Sequence, residues 1–305
     1  MRIQQVPHAG AIQQWRTLSH AYVNRIINEY TEHESVMSNF GPIDGVDMFH
    51  CHSNPPEWLS LNKEFLSRTL FFFHGPPDMC RSQLSYAAIA GKDRCGVPAQ
   101  MHSLYFREYS DMLCLRNPIM LDDQNLQPAP FPTDKLRICV PTSNPGGRGK
   151  IWYKGYHESI AMLEDLSEKY PDRIEVDSFY GLERDEYIER MSKCNIVVEG
   201  VTNPSYSRIC LEALALGKVV VTNCSESILD LVRDVTKSKQ YIPFQLADLS
   251  SLDAKILQLM EIGPKNLQSR GQIGADWMRR YWHPRNIAND YIRAYRHILD
   301  LPALE

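Results

Sequence analysis

The sequence contains no run of about 18 uncharged apolar residues, the length that a membrane-spanning helix needs, and residues 1–10 contain no apolar core of a signal peptide. We therefore expect a cytoplasmic protein without a transmembrane segment. None of the eight cysteines lies in a Cys-x-x-Cys pair, and eight are too few for a disulfide scaffold in 305 residues. The cysteines are thus expected to be reduced thiols, most of them buried as small apolar side chains.

The charge lacks a dominant sign, because 33 lysine and arginine residues stand against 37 aspartate and glutamate residues, a net charge of −4. This composition provides no global positive field to attract a polyanion, although a local basic groove is compatible with it. The length of 305 residues exceeds the ~250 residues at which a single core usually stops growing, so we expect two domains.

Short apolar segments alternate with helical segments along both halves of the chain, which predicts two α/β domains, each with a parallel sheet. A stretch from Asp123 to Asp134 has three prolines and almost no periodicity, and it is the predicted linker. We place the first domain at residues 1–128, the second at residues 135–280, and a C-terminal helix that packs back on the first domain at residues 281–305.

The first half begins with a short predicted strand, followed by an amphipathic helix and four more strands. The helix and these strands are predicted at Ile12–Tyr30, Val46–His50, Thr69–Phe73, Ala99–Leu104 and Met112–Leu115. The strand that begins at Thr69 stops abruptly at His74-Gly75-Pro76-Pro77. This turn places His74 at the carboxyl edge of a sheet, where open α/β folds bind ligands.

The second half alternates more regularly between strands and helices. Strands are predicted at Leu136–Pro141, Ile174–Ser178, Asn195–Glu199 and Lys218–Thr222, and helices at Tyr156–Lys169, Arg184–Met191 and Ser207–Leu216. Two C-terminal helices are predicted to break at His283-Pro284, because a proline disfavours helical geometry in the residue before it.

The triplet His50-Cys51-His52 carries three possible metal ligands in adjacent positions. Adjacent residues of a strand point to opposite faces, so no metal site is predicted here. The two histidines share one face of the strand, an arrangement that is as compatible with packing as with substrate contact.

Glu212 stands early in a helix that otherwise consists of small and apolar residues. A buried carboxylate without a partner would cost several kcal/mol, so we expect this carboxylate to have one. An acid in an open nucleotide cleft can accept both hydroxyls of a ribose, as the acidic residue of dinucleotide-binding folds does.

The segment Glu212–Val220 matches the pattern Glu-Ala-x-Ala-x-Gly-x-Pro-Val, with Val219 in place of the usual proline. In this segment the chain resembles the C-terminal half of GT-B glycosyltransferases, specifically the retaining family-4-like group. Other residues that match the family are Arg116-Asn117-Pro118-Ile119, Arg148, Lys154-Gly155 and His74-Gly75. The resemblance covers most of residues 112–224, and it extends only loosely over the residues before them.

The resemblance implies the GT-B fold, with two Rossmann-like lobes facing a central cleft and a C-terminal helix that crosses back to the N-terminal lobe. It implies metal-independent transfer of a hexosyl or related group from a nucleotide-diphosphate sugar to a hydroxyl acceptor, with no cofactor. UDP-sugar is the first expected donor and GDP-sugar the next, and the expected acceptor is a glycan or other saccharide.

The resemblance also implies roles for individual residues. Arg148 and Lys154 would meet the charge that develops on the departing diphosphate; the alternative is that Arg148 and Lys150 are solvated loop charges. Gly10 would let the backbone approach the donor phosphate, or it marks an ordinary strand-to-helix turn. His74 would hydrogen-bond the donor sugar or the acceptor hydroxyl, although a lone histidine is more often structural.

The chain departs from the family at Pro204, which occupies the position of the first glutamate of the motif, eight residues before Glu212. Glu199 is then expected to supply a carboxylate, and Ser205, Tyr206 or their backbone amides to hold sugar hydroxyls. This departure leaves the retaining stereochemistry open.

Three alternatives to a saccharide-directed enzyme remain open. The acceptor can be hydroxymethylated DNA, held by a basic patch of Arg68, Arg81, Lys92, Arg94 and Arg107, or these are scattered surface charges. The missing glutamate at Pro204 is compatible with a catalytically degenerate protein that only binds a nucleotide. A phosphorylase or epimerase of the same fold ranks last, because it needs a phosphate or a second sugar site.

Overall fold

The computed structural model describes residues 1–302 except 8–18, 53, 75–80, 101–110, 143–144, 147–152 and 240. The chain forms two compact units. The first contains Met1–Ile119, Asp234–Thr236 and His283–Glu305, and the second contains Met120–Arg233 and Lys237–Trp282. Among the helices in these described ranges, none is long and apolar enough to cross a membrane.

The first unit is built on a six-stranded sheet in which every neighbouring pair of strands is parallel. Its strands are β1 (Arg2–Val6), β2 (Glu34–Met37), β3 (Met48–Cys51), β4 (Thr69–Phe72), β5 (Cys95–Pro98) and β6 (Leu113–Leu115), in the order β2-β1-β3-β4-β5-β6. Its helices are α1 (Ser19–Tyr30), α2 (Glu57–Ser60), α3 (Lys63–Ser67), α4 (Arg81–Ala90) and α11 (Pro284–Ile298).

The central strands β3 and β4 are buried at every residue. Their short runs of apolar side chains are typical of a parallel sheet that is covered on both faces. Helix α11 packs against α1, β4 and β6 and buries Tyr291 and Tyr295. It begins with Pro284 at its first turn, and the ring of His283 accepts a hydrogen bond from the amide of Arg285 at 3.2 Å, so the predicted break at His283-Pro284 is confirmed.

A buried ion pair ties the segment after β6 to α11 within the first unit. Arg116 donates to the carboxylate of Asp290, and its second terminal nitrogen donates to the carbonyl of Val235 at 2.8 Å. Burial raises the pKa of Asp290, an effect that Arg116 and Arg293 oppose. Arg116, one of the residues that carry the family resemblance, therefore has a structural function in this chain.

The second unit is built on a five-stranded parallel sheet of the order β11-β10-β9-β7-β8. The strands are β7 (Leu136–Thr142), β8 (Ile174–Tyr180), β9 (Ile196–Val198), β10 (Val219–Thr222) and β11 (Phe244–Leu246). The helices are α5 (Tyr156–Lys169), α6 (Arg184–Ser192), α7 (Arg208–Ala215), α8 (Glu226–Thr236), α9 (Leu252–Ile262) and α10 (Pro264–Tyr281), and the last three residues of α8 are counted with the first unit. The two predicted parallel sheets are therefore confirmed.

The prediction of a strand at Ala99–Leu104 is wrong at Ala99 and Gln100, and its residues 101–104 lie outside the described residues. The strand is Cys95–Pro98 instead, and Ala99 and Gln100 are helical. This strand contains a glycine and a proline, which lower its apparent β propensity. Gly96 is required by packing, because a Cβ there would lie 3.0 Å from the ring of Phe72 and 3.2 Å from Leu70.

The proline-rich segment that was expected to be a linker packs on the second unit instead. The amide of Ala129 donates to the carbonyl of Leu216 at 3.1 Å, and the ammonium of Lys218 donates to the carbonyl of Pro130 at 3.0 Å. The amide side chain of Asn195 donates to the carbonyl of Pro132 at 2.8 Å. Prolines suit such a segment, because they leave carbonyl acceptors without adding N–H donors that need partners.

Candidate functional site

The candidate site lies at the carboxyl edge of the second sheet. Because β7, β9 and β10 run parallel, the segments that follow them emerge at the same edge. These segments carry Lys154, just before α5, and Glu199, directly after β9. Open α/β sheets bind ligands at this edge, where side chains from several strands meet.

Lys154 and Glu199 form an ion pair at this edge. The carboxylate of Glu199 is buried with 2% of its side chain exposed, whereas 27% of the Lys154 side chain is exposed. The second oxygen of the Glu199 carboxylate accepts a hydrogen bond from the thiol of Cys210 on α7 at 3.4 Å. A buried carboxylate thus holds a partly exposed ammonium group at the sheet edge, and Cys210 helps to fix the carboxylate.

Tyr153 and Gly155, which flank Lys154 just before α5, both lie against the segment after β9. Gly155 has φ +74°, and a Cβ there would lie 2.6 Å from Cγ2 of Thr202, so glycine is required on both counts. The hydroxyl of Thr202 donates to the carbonyl of Tyr153 at 2.6 Å. These contacts fix Lys154 at the N-terminal end of a 14-residue helix, where the helix dipole favours an anion.

Glu212 lies on α7 with 5% of its surface exposed, as the sequence predicts. Its partner is the guanidinium of Arg208, one turn earlier on the helix, at 3.4 Å. Burial raises the pKa of Glu212, and the charges of Arg208 and Arg184 oppose this shift. The expectation that this carboxylate is buried and paired is therefore confirmed.

Ser205 and Tyr206 are both buried. The hydroxyl of Ser205 donates to the carbonyl of Tyr206 at 3.3 Å, and the ring of Tyr206 packs on Phe244 with centroids 5.7 Å apart. Their side chains therefore contribute to the fold of the loop after β9. Pro204, at the position of the missing glutamate, is exposed, and its carbonyl accepts from the amide of Ser225 at 3.1 Å.

Two of the predicted donor-site residues, Gly10 and Arg148, lie outside the described residues. Of the predicted set in the second unit, the structure brings Lys154 and Glu199 into direct contact. Cys210 is part of the same cluster and was not singled out from the sequence. The only sequence signal for Cys210 is its position in the same predicted helix as Glu212.

The first unit carries a different polar cluster at its sheet. His74 follows β4 and is exposed, and its Nε2 lies 2.9 Å from Nδ1 of His52. His50 on β3 and His52 directly after this strand are both buried, with ring centroids 3.8 Å apart. The close approach of these rings agrees with the shared face that strand alternation predicts, and both rings lie within the packed interior of the unit.

Two members of this cluster, Gln5 on β1 and Tyr295 on α11, were not predicted. The carbonyl oxygen of Gln5 accepts from Nε2 of His52 at 2.7 Å, and the hydroxyl of Tyr295 lies 2.7 Å from Nδ1 of His50. The polar pair Gln4-Gln5 between the apolar residues Ile3 and Val6 was the available signal. Within the described part of the chain, no group of three or more histidine, cysteine, aspartate or glutamate side chains could hold a metal ion.

Comparison with known proteins finds matches only among solved structures, since no family model and no curated protein matches the sequence. A glycosyltransferase from Rickettsia africae ESF-5 has a TM-score of 0.61 at 14% identity, with 98% of each chain covered. The HepE protein of Anabaena, in complex with UDP, has a TM-score of 0.56 at 12% identity, covering 96% of this chain and 98% of its own.

A third match is the sucrose-phosphate synthase of Thermosynechococcus elongatus, with a TM-score of 0.57 at 10% identity, covering 98% of this chain and 99% of its own. At these identities the similarity is one of fold. The two parallel-sheet α/β units are consistent with it, and the chain has the GT-B fold.

Proposed function

We propose that the protein is a glycosyltransferase that moves a sugar from a nucleoside-diphosphate sugar to a hydroxyl acceptor. The observation that carries this proposal is the ion pair of Lys154 with buried Glu199 at the carboxyl edge of the second sheet. Glu212 lies on α7, the helix that follows the segment after Glu199. An ammonium, a helix N-terminus and a carboxylate together suit a diphosphate and the ribose attached to it.

The chemistry assigns Lys154 to the leaving group. When the bond between the sugar and the diphosphate breaks, positive charge develops on the sugar ring and negative charge on the departing phosphate oxygen. A fixed ammonium that faces this oxygen stabilises the transition state more than the ground state. Arg148, in the same loop, is proposed to share this role, and together they would perform the electrostatic work of a divalent metal. We accordingly propose metal-independent transfer.

The family's motif has a glutamate at the position of Pro204, and Glu199 is proposed to supply the carboxylate in its place. It is the buried acid that contacts Lys154, and it lies directly after a strand of the sheet. Glu212 is proposed to accept the ribose hydroxyls, Gly10 to let the backbone approach the phosphates, and Ser205 and Tyr206 to bring backbone amides to the sugar. The retaining, family-4-like chemistry is part of this proposal.

The proposed donor is a UDP-sugar, with a GDP-sugar next, and the proposed sugar is a hexose or a related glycosyl group. HepE of Anabaena, whose fold this chain shares, binds UDP. No further cofactor is proposed. The proposed acceptor is a saccharide hydroxyl, and His74 at the edge of the first sheet is proposed to contact the donor sugar or this hydroxyl.

Hydroxymethylated DNA is a less favoured acceptor, for which Arg68, Arg81, Lys92, Arg94 and Arg107 are the candidate contacts; Arg107 and the side chain of Arg81 lie outside the described part of the chain. Arg68 donates to the carbonyl of Val46 and lies over the ring of Phe49 at 5.0 Å. Arg94 donates to the carbonyl of Ser67 at 2.8 Å. Both guanidinium groups are thus engaged within the first unit, which weakens the case for a phosphate-tracking groove.

The test is a transfer assay with UDP-, GDP- and ADP-sugars in the presence of EDTA, against oligosaccharides and hydroxymethylated DNA. We expect sugar transfer from one donor to a saccharide, and a sharp loss of turnover in Arg148→Ala. Transfer to hydroxymethylated DNA and to no saccharide would show that the acceptor is DNA and not a saccharide. Nucleotide binding without transfer to any acceptor would contradict the enzyme and leave a nucleotide-binding protein.

A further inference from the structure

Two large apolar side chains of the first unit are almost fully exposed. Phe40, in the loop between β2 and β3, is 84% exposed, and Leu61, directly after α2, is 76% exposed. They are the two most exposed large apolar side chains in the described part of the chain. A single exposed apolar residue is common in soluble proteins, whereas several that share one surface mark an interaction site.

The loop that carries Phe40 is bound to the sheet by a buried glutamine, Gln4 on β1. The side-chain nitrogen of Gln4 donates to the carbonyl of Ser38 at 3.1 Å and to the carbonyl of Gly41 at 2.8 Å. Its oxygen accepts from the amide of Ile43 at 2.9 Å. These bonds hold the loop on both sides of Phe40, so a partner that covers the phenyl ring orders little additional backbone.

Trp58 connects this loop to Leu61. Its indole N–H donates to the carbonyl of Asn39, the residue before Phe40, at 2.9 Å. The amide of Leu61 donates to the carbonyl of Glu57, so Trp58 and Leu61 are three residues apart in one helical turn and lie on the same face. Phe40, Trp58 and Leu61 therefore belong to one surface, which we call the apolar patch.

The apolar patch packs on the core of the first unit. The ring of Trp58 lies 5.6 Å from the ring of Phe49 and 6.1 Å from the ring of Phe65. Phe49 is fully buried, whereas Trp58 and Phe65 are partly exposed. Packed rings thus support the exposed side chains from below, as is typical of the aromatic anchors of protein interfaces.

The part of the chain that forms the patch is strongly acidic. Residues 31–67 contain six acidic residues and one lysine, a net charge of −5, whereas all other residues together carry +1. The six acidic residues are all exposed, and they are Glu32, Glu34, Asp44, Asp47, Glu57 and Glu64. The negative charge of the whole chain is therefore concentrated around this surface.

Arginines of the first unit neutralise only part of this charge. Two of the carboxylates are paired, Glu34 with Arg2 at 3.2 Å and Glu64 with Arg68 at 3.8 Å. Asp44 and Glu57 have no ion-pair partner among the described residues. Asp44 lies in the same loop as Phe40, and Glu57 directly precedes Trp58. Uncompensated carboxylates beside apolar side chains attract lysine and arginine and repel phosphate groups.

We propose that the apolar patch is a docking surface for a basic, amphipathic segment of a partner protein. The apolar side chains of this segment cover Phe40, Trp58 and Leu61, and its lysine and arginine side chains face Asp44 and Glu57. An anionic lipid surface or a nucleic acid does not fit, because both carry the charge that this surface repels. The inference goes beyond the proposed function, since the patch uses none of the residues assigned to the donor or to the acceptor.

The experiment uses two synthetic peptides of about five helical turns with leucine at helical spacing. One peptide has lysine and the other has glutamate at the remaining positions, and fluorescence anisotropy measures the binding of each to the full-length protein. We expect the lysine peptide to bind at least tenfold more tightly than the glutamate peptide, and added salt to weaken its binding. Equal binding of the two peptides, or no binding of the lysine peptide, would overturn the proposal.

Variants of the exposed side chains locate the binding surface. Phe40→Ser combined with Leu61→Ser is expected to raise the Kd of the lysine peptide at least tenfold, and Asp44→Asn combined with Glu57→Gln to reduce its salt dependence. Ile273→Ser is the matched control, because Ile273 is 61% exposed on α10 of the second unit. An unchanged Kd in the Phe40 variant, an equal loss in the control, or binding to phosphatidylcholine vesicles that the Phe40 variant loses would overturn the proposal.

Discussion

The two parallel sheets of this chain carry opposite kinds of polar cluster. The first sheet carries imidazole rings, with His50 and His52 buried and His74 at the surface. The second carries formal charges, with Lys154 paired to Glu199 at its carboxyl edge. The same topology thus presents uncharged hydrogen-bonding groups in one unit and a cation in the other.

The difference has a simple physical origin. Histidine titrates near neutral pH, so burial needs only a modest shift of its pKa to remove the charge. A lysine and a glutamate are both charged at neutral pH, and they can be buried cheaply only as a pair. The sequence of the second unit, residues 120–233 and 237–282, contains a single histidine, His157, which is exposed.

The largest expected effect tests the charged edge, by which we mean Lys154 and Glu199 at the carboxyl edge of the second sheet. Lys154→Ala is expected to lower kcat/KM for transfer about 100- to 1000-fold, the usual loss when one group that stabilises developing negative charge is removed. The measurement is steady-state kinetics with the donor that the transfer assay identifies. Because this variant leaves Glu199 buried without its partner, the double variant Lys154→Met, Glu199→Gln provides a neutral pair for comparison.

The matched control for this prediction is Lys193→Ala. Lys193 is 62% exposed and pairs with Glu189 at 2.6 Å on the surface of α6. We expect unchanged kinetics and a stability change below about 0.5 kcal/mol, as for most exposed ion pairs. Full activity in both Lys154 variants would contradict the proposal that Lys154 stabilises the departing diphosphate.

The second effect tests the neutral cluster by its pH dependence. Burial lowers the pKa of His50 and of His52 well below 6.5. Below pH 6.5 the unfolded chain therefore binds protons that the folded chain does not. The stabilisation is fully present above pH 6.5 and decreases as the pH falls, by about 1.4 kcal/mol per pH unit for each histidine.

Hydrogen exchange measures this contrast within one molecule. Between pH 6.5 and pH 5.5, corrected for intrinsic rates, we expect the amides of β3 and β4 to lose protection more than those of β7 and β9. Equal losses in both sheets would show that the histidines do not set the acid response of the first unit. His50→Phe, which removes one titrating ring, is expected to halve the loss.

A third effect concerns the carboxylate of Glu212. Glu212→Gln is expected to weaken donor binding by about one to two kcal/mol, a five- to thirtyfold higher Kd, because a carboxylate accepts from ribose hydroxyls more strongly than an amide does. Calorimetric titration of the wild-type protein and of the variant with UDP measures this change in Kd. An unchanged Kd would refute the ribose assignment, whereas a comparable loss with a 2′-deoxynucleotide and the wild-type protein would support it.

The smallest expected effect concerns the loop that carries Lys154. Gly155→Ala places a side chain at φ +74° and within 2.6 Å of Thr202, so we expect a loss of about 1–2 kcal/mol in unfolding free energy. Denaturant titration measures the loss. Gly181→Ala is the control, since Gly181 also has a positive φ of +67° but nothing lies within 4 Å of its Cβ position. Equal losses in the two variants would show that contact with Thr202 contributes nothing.

Much of the second unit could be predicted from the sequence. Helix α5 has the predicted bounds, and the strands from β7 to β10 lie within one or two residues of the predicted ones. These elements have clear periodicity and end at glycine or polar turns. The short strands β2 and β11 were missed, because runs of four and three residues carry too little pattern to stand out from loops.

The site was only partly predictable for a different reason. Burial and pairing of Glu212 followed from its apolar neighbours, which is local information. The contact of Cys210 with Glu199 and that of Gln5 with His52 join residues on different elements. No local pattern specifies such pairs, since strand order and register decide which side chains meet.

The most direct test of the account is hydrogen–deuterium exchange of the full-length protein with and without saturating UDP. The account predicts that UDP protects the segments around Lys154, Glu199 and Glu212, and that the pattern is lost together in Lys154→Ala. Protection confined to other segments of the second unit, or no protection by any nucleoside diphosphate, would contradict the assignment of the charged edge as the donor site.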